Sequence, residues 1–220
     1  KVLHRNISLN NMMYQKRYDT NEFPFIGVLN NFDLSCSLPL KEVTSLHQIG
    51  TPPYMAHELL GQFDVVHLYQ HDVKAFYYIL LMLCCGYEIV QSAGGKVMQE
   101  LQSQQAKMSF AKWYDRTTSW QELTDFKRYF FISVMPISPS KSFSAFLLWL
   151  NAIQILFRWG LYVFANLKIP ETCLPSHFTL PGTMQPSAPF DNETLGGHIT
   201  SEYMLQIMSE IDGHSLNKQQ

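Results

Sequence analysis

Apolar and polar positions alternate along this chain in blocks whose lengths differ enough to predict separate elements. Val2-Leu3 opens an apolar run, His4 to Asn11 is polar, and Met12-Met13 closes the block, the profile of a loop held between buried ends. Gln15 to Glu22 is polar and turn-like, and Phe25 to Leu29 reads as a short strand, so a β-hairpin is expected around that turn. A second polar stretch, Ser35 to Gln48, ends at Gly50-Thr51-Pro52-Pro53, where two prolines preclude regular helix until Met55 or later. Asp72 to Cys85 is apolar almost all the way round, the pattern of a helix buried on every face and therefore the centre of a helical lobe. Residues 89 to 112 are polar and Gln-rich, Trp113 to Phe131 mixes aromatics with charge at helical spacing, and Pro136 to Ser142 reads as a loop. Ile169 to Pro189 is proline-rich and aperiodic, an extended connection. Thr200 to Ile211 returns to helical spacing with Tyr203, Ile207 and Met208 on one side, before a polar tail at 212–220.

Ser144 to Asn166 is long and apolar enough to raise the question of a membrane span. Asn151, Gln154 and Arg158 fall on one helical stripe, while Phe146, Leu150, Ile153, Phe157, Leu161 and Phe164 fall on another. That division, and the cost of about 2.5 kcal/mol or more for an arginine near the middle of a span, predicts an amphipathic core helix outside any membrane. The class expected is mainly α, with one short hairpin.

Composition adds limits. The chain has 220 residues, 46% apolar, enough for one well-formed core. Sixteen basic against eighteen acidic side chains, a net charge of −2, supply no footprint for nucleic acid or an anionic membrane. Cys36, Cys84, Cys85 and Cys173 contain no CxxC pair and follow no apolar leader, so reduced thiols in a cytoplasmic or nuclear setting are expected. The chain opens at Lys1 without a turn or cap before His4-Arg5, which suggests a start inside a domain.

Three segments carry the chemistry. His4-Arg5-Asn6-Ile7-Ser8-Leu9-Asn10-Asn11 resembles the catalytic loop of protein kinases, with Asn6 at the catalytic Asp position and Asn11 at the metal-binding Asn. Asn31-Phe32-Asp33 stands where the Asp-Phe-Gly motif begins, directly after the predicted strand. Gly50-Thr51-Pro52-Pro53-Tyr54-Met55-Ala56-His57-Glu58 looks like the end of an activation segment, with His57 in place of the Pro of Ala-Pro-Glu. The Phe-Asp-Leu variant, the Thr-Pro-Pro-Tyr-Met-Ala run, His71-Asp72 opening the buried helix, and Phe190-Asp191-Asn192-Glu193-Thr194-Leu195-Gly196-Gly197 are together similar to the fungal-type protein kinase family.

The resemblance implies a kinase carboxy-terminal lobe over 1–211, with the catalytic loop at 4–11, the activation segment at 31–58 and the central helix at 72–85. It implies ATP and magnesium as cofactors, protein serine or threonine as substrate, and an amino-terminal lobe upstream. The glycine-rich loop, strand Lys and helix Glu of that lobe have no counterpart in the sequence given. Within the family pattern Asn6, Arg5 and Thr51 occupy catalytic positions, and Thr51 points to serine/threonine specificity. Asn11, Asn31 and Asp33 occupy nucleotide- and metal-facing positions, with Asn11 and Asn31 at the magnesium ligands. His4, Phe32, Glu58 and Asp72 are structural: His4 and Phe32 in an apolar spine, Glu58 anchored by a buried arginine for which Arg158 is the candidate, and Asp72 bonded to the catalytic-loop backbone or serving as a helix N-cap. Arg5 would face a phosphorylated residue, with Ser35, Ser37, Thr44 and Ser45 as candidates.

Asparagine at positions 6 and 31 removes the proton acceptor and the anionic metal ligand that phosphoryl transfer uses. The expectation is therefore a pseudokinase or interaction module with an unknown protein partner, set against an active serine/threonine kinase of the same family and a decayed fragment. Other constellations fail on their own terms. His57-Glu58-Leu59-Leu60-Gly61 has Gly61 where a zinc protease needs its second His, and His67 with His71 lacks a third ligand. Gly94-Gly95-Lys96 lacks the rest of a phosphate loop and reads as a turn.

Overall fold

The computed structural model describes residues 2–16, 25–37, 50–61, 65–101, 110–133, 135–167, 189–211 and 214–215. Helices account for most of its regular structure and the strands form only two-stranded antiparallel sheets, so the fold is mainly α as expected. The expected hairpin pairs β2 (Met12–Lys16) with β3 (Phe25–Leu29), with Met12 opposite Leu29 and Lys16 opposite Phe25. Two smaller pairs join β1 (Val2–Leu3) to β4 (Cys36–Ser37) and β7 (Glu210–Ile211) to β8 (His214–Ser215).

At the centre lies α2 (Tyr69–Gly86), three residues longer at its start than the apolar pattern indicates. Its first turn is Tyr-Gln-His-Asp, of which Gln70, His71 and Asp72 are buried with hydrogen-bond partners, which periodicity cannot anticipate. Tyr77, Tyr78, Ile79 and Leu81 are essentially inaccessible and meet a cluster of rings, Phe110, Trp113, Phe130, Phe131 and Phe157. Edge-to-face geometries recur there, Tyr78 on Trp113 at 4.9 Å and Trp113 on Phe130 at 5.2 Å, each contributing about 0.5–1.5 kcal/mol beyond burial.

The polar, Gln-rich stretch contains a second hairpin that polarity alone concealed: β5 (Tyr87–Ser92) and β6 (Gly95–Glu100) turn at Ala93-Gly94. Both strands are largely exposed, so no apolar alternation marks them. α3 (Trp120–Ile132) starts at Ser119, whose hydroxyl accepts from the Glu122 amide while Glu122 accepts from the Ser119 amide at 2.9 Å, a reciprocal capping box. The long apolar segment becomes a 3-10 stretch, Lys141–Phe146, followed by α4 (Leu147–Leu167). Leu150, Ile153 and Phe157 are buried as expected. Gln154 departs from its expected polar stripe: it is buried and donates to the carbonyls of Phe130 and Met135. Leu148, Ile155, Trp159 and Tyr162 remain exposed on α4, which is long and apolar enough to cross a membrane by length and composition. In α5 (Ser201–Ile207) Met204 is buried and Ile207, with Met208 after it, packs against the core as expected, whereas Tyr203 is exposed, a correction to the expected face. The expected connection at 169–189 lies almost wholly outside the described residues, as does Cys173; Cys36, Cys84 and Cys85 are free thiols.

Candidate functional site

The loop at 4–11 is held by two elements. From α2, the Asp72 carboxylate accepts the His4 amide at 2.7 Å and the Arg5 amide at 3.0 Å. Asp72 is the fourth residue of that helix and is therefore not its N-cap; its carboxylate serves the loop. His67 adds a third contact, Nε2 to Asp72 Oδ1 at 2.9 Å. Two consecutive amides converging on one carboxylate fix Arg5 in the left-handed region, φ 67°, which costs a non-glycine residue about 1–2 kcal/mol. From the end of β3, the Asn30 carbonyl accepts His4 Nε2–H at 2.8 Å, leaving Nδ1 to accept from the Asn6 amide at 3.3 Å. One tautomer satisfies both. The Asn30 amide in turn donates to the Asn11 carbonyl at 2.8 Å.

Asn6, Asn11, Asn31 and Thr51 are brought together. Asn11 Nδ2 donates to the Asn6 carbonyl at 2.8 Å, Asn31 Nδ2 approaches Asn11 Oδ1 at 3.4 Å, and Thr51 Oγ1 approaches Asn6 Oδ1 at 3.4 Å. Asn31 is left-handed, φ 62°, a conformation that asparagine tolerates better than most residues. Asp33 is exposed in the 3-10 turn Phe32–Leu34 and is not drawn into this group. Phe32 meets the His4 ring edge-to-face at 4.7 Å but is half exposed, so of the two expected spine residues only His4 is buried. Arg5, Asn6, Thr51 and Asp72 line one cleft with Gly50 and Tyr54. Ser35 and Ser37 lie in the described residues, Ser37 exposed, while Thr44 and Ser45 fall outside them.

A magnesium ion fits this donor set poorly. Asn11 and Asn31 offer neutral amide oxygens where hard cations favour carboxylates, and the Asn11 oxygen already faces the Asn31 amide hydrogens. Among the described residues no group of three His, Cys, Asp or Glu converges.

The segment from Gly50 to Glu58 is anchored from beneath. Gly50 has φ 142° and sits so close to Met55 that a Cβ would come within 2.8 Å of its Cγ. The turn Pro52–Tyr54 leads to α1 (His57–Gly61). Lys127 of α3, fully buried, donates to the Pro52 carbonyl at 2.9 Å and the Met55 carbonyl at 2.6 Å, with its ammonium 4.6 Å from the Tyr78 ring centre. Burial pushes the Lys127 amine well below its usual range, against the pull of Glu58. Glu58 pairs with Lys74 of α2. The expected partner, Arg158, instead lies exposed on α4. Lys74 stands one helical turn beyond Gln70, directly under α1, so the cation is supplied from the central helix. Burial raises the Glu58 carboxyl, but His57, Lys74 and His71 outweigh it and hold the group well below the carboxylate range. His57 packs beside it, 3.3 Å from Oε2, and burial pushes its imidazole down to about 4.

Sequence reasoning missed Lys74, Lys127, Gln70 and Glu193. Two of them left a signal: Lys127 lies on the stripe of Leu123, Phe130 and Phe131, and Lys74 interrupts a helix that is otherwise apolar all round. A charge at such a position requires a partner.

The Asp72 carboxylate bracing the loop 4–11 and the anchored Thr-Pro-Pro-Tyr turn are the arrangement that the sequence resemblance to protein kinases implies. A family model described as fungal protein kinase matches residues 1–84 of the 220, so this part of the chain is similar to that family. No curated protein and no solved structure matches the chain.

Proposed function

We propose that this chain is a catalytically impaired kinase-like carboxy-terminal lobe that works as a pseudokinase interaction module. The observation that carries the reading is the pair Asn6 and Asn31 at the two carboxylate positions. Asn6 hydrogen-bonds a hydroxyl but accepts no proton, a loss worth about 100- to 10,000-fold in general-base catalysis. Asn31 presents an amide to Asn11 where a bridging cation would need an anionic oxygen. These losses fall on different parts of phosphoryl transfer, so neither residue compensates for the other.

What the chain's residues do instead is positional. Asp72 and Asn30 hold the loop, and Thr51 lies against Asn6. ATP and magnesium belong to the family's chemistry, in which the ion neutralises charge on the phosphates. A second reading, an active serine/threonine kinase, draws on that intact bracing and on the Thr51–Asn6 contact. A phosphotransfer assay on the longest natural form of the chain, beside Asn6→Asp/Asn31→Asp, separates the two. The proposal expects no transfer from the native chain; transfer blocked by ATP-site inhibitors would overturn it. Thermal shifts with and without magnesium-ATP report nucleotide binding separately.

A further inference from the structure

We infer that the loop 190–197, outside the segment that matches the kinase family, positions the catalytic loop through the first turn of α2, with Glu193 as the positioning residue. The inference concerns the bracing of residues 4–6 and goes beyond the question of catalysis, holding for an active or an inactive lobe.

The starting observation is a helix whose first amides have no local cap, His71 Nδ1 accepting only from the Leu68 amide, at 3.0 Å. Leu68 occupies the N-cap position of α2 and has no side-chain acceptor for the first amides. Those amides are met from far along the chain: the Tyr69 amide donates to Glu193 Oε2 at 2.7 Å and the Gln70 amide to the Glu193 carbonyl at 3.0 Å. A carboxylate there also opposes the positive end of the helix dipole. Gln70, 5% exposed, completes the link, with Nε2 donating to the Asn192 carbonyl at 2.8 Å and Oε1 accepting from Lys74 at 2.9 Å. A primary amide side chain donates through its nitrogen and accepts through its oxygen, so Gln70 serves both contacts at once.

The loop is shaped to make these contacts. Asp191 accepts the Glu193 amide and the Thr194 hydroxyl, and Thr194 accepts the Gly197 amide at 2.9 Å. Leu195 is left-handed, φ 50°, and buried against Gly160 of α4, where a Cβ would lie 2.7 Å from the Leu195 Cβ. Phe190 meets Phe164 at 5.6 Å between ring centres. The loop is thus fixed on α4 and delivers Glu193 to α2. Asp72 belongs to that same helical turn. If the turn frays, Asp72 moves, and the His4 and Arg5 amides lose their shared acceptor.

The test is residue-resolved amide hydrogen exchange on the whole chain, with the Leu81 amide in the buried middle of α2 as the reporter of global opening. Glu193→Ala should speed exchange at His4 and Arg5 by about tenfold relative to Leu81, the effect of losing one charge-assisted bond. Glu193→Gln keeps an oxygen acceptor and should restore most of that protection. Should Glu193→Ala not fold, Glu193→Gln alone is expected to give a smaller acceleration at His4 and Arg5 with Leu81 unchanged. Acceleration no greater at His4 and Arg5 than at Leu81, in whichever variant folds, would overturn the inference.

Discussion

Lys74→Met isolates the charge that anchors Glu58 and the start of α1, because methionine keeps most of the lysine stem's volume. Lys74 is inaccessible, Glu58 has 23% of its side chain exposed, and the ammonium also serves Gln70 and lies 5.6 Å from the Phe157 ring centre. Removing the cation leaves a largely buried carboxylate beside a His57 that burial keeps neutral near pH 7. Breaking a buried pair by deleting one partner costs about 3–5 kcal/mol. At about 2–4 °C per kcal/mol for a chain of this size, the melting temperature should fall by about 6–20 °C. Urea denaturation of Lys74→Met, Glu58→Gln and the double variant closes a cycle in which the double costs less than the sum of the singles. The acid limb offers a second reading. Glu58 is held below its ordinary value in the fold, so its stabilising contribution is present above about pH 4.5 and is lost as pH falls further. The gap between native and Lys74→Met stability should therefore narrow below that pH. A loss under about 1 kcal/mol, or strict additivity in the cycle, would refute the anchor.

Three further outcomes follow from the same geometry. Lys127→Met removes the ammonium donor from the Met55 carbonyl and leaves the Pro52 carbonyl with the Met55 amide, and should lower stability by about 1–3 kcal/mol in urea titration, whereas an unchanged midpoint would show that the clamp carries no load. His57 has its folded pKa pushed from 6.5 to about 4, so the unfolded chain takes up the proton first; stability should fall by roughly 3 kcal/mol between pH 6.5 and 4, and His57→Gln should flatten that slope down to the share contributed by His71. Gly50→Ala places a Cβ against Met55 at φ 142° and should cost about 1–3 kcal/mol by thermal melting, an unchanged midpoint being evidence against strain at this turn.

Much of the lobe was legible because its signals are local. The all-round apolar run in 72–85 marks a buried helix, two prolines delay helix until after Tyr54, and Leu150, Ile153 and Phe157 recur at helical spacing. What stayed hidden depends on partners distant in sequence. The start of α2 at Tyr69 is secured by Glu193, 124 positions away, so no local cap announces it. Arg158 was a reasonable anchor for Glu58 by charge, but α4 turns that residue outward and α2 supplies Lys74. The β5–β6 hairpin has little buried face to impose a period of two, and so reads only as a polar stretch around a glycine turn.

The charges present and the charges replaced fall into two physical groups. Asp72 and Glu58 each satisfy donors that burial would otherwise leave unpaired: two backbone amides for the first, the Lys74 ammonium for the second. Removing either carboxylate would cost stability whether or not the lobe transfers a phosphoryl group. Positions 6 and 31 differ. Asn31 is exposed, Asn6 is partly so, and their neighbours are amide and hydroxyl groups that an asparagine can serve as well as an aspartate. A neutral side chain there leaves no buried cation behind it and disturbs no packed ring. The fold therefore accommodates neutral side chains at positions 6 and 31 while depending on the carboxylates of Asp72 and Glu58, and a well-braced loop is by itself no measure of catalysis. On the function proposed above, activity is decided at Asn6 and Asn31, while the positioning of the loop 4–11 is decided at Asp72 and, through the turn it shares with Tyr69, at Glu193.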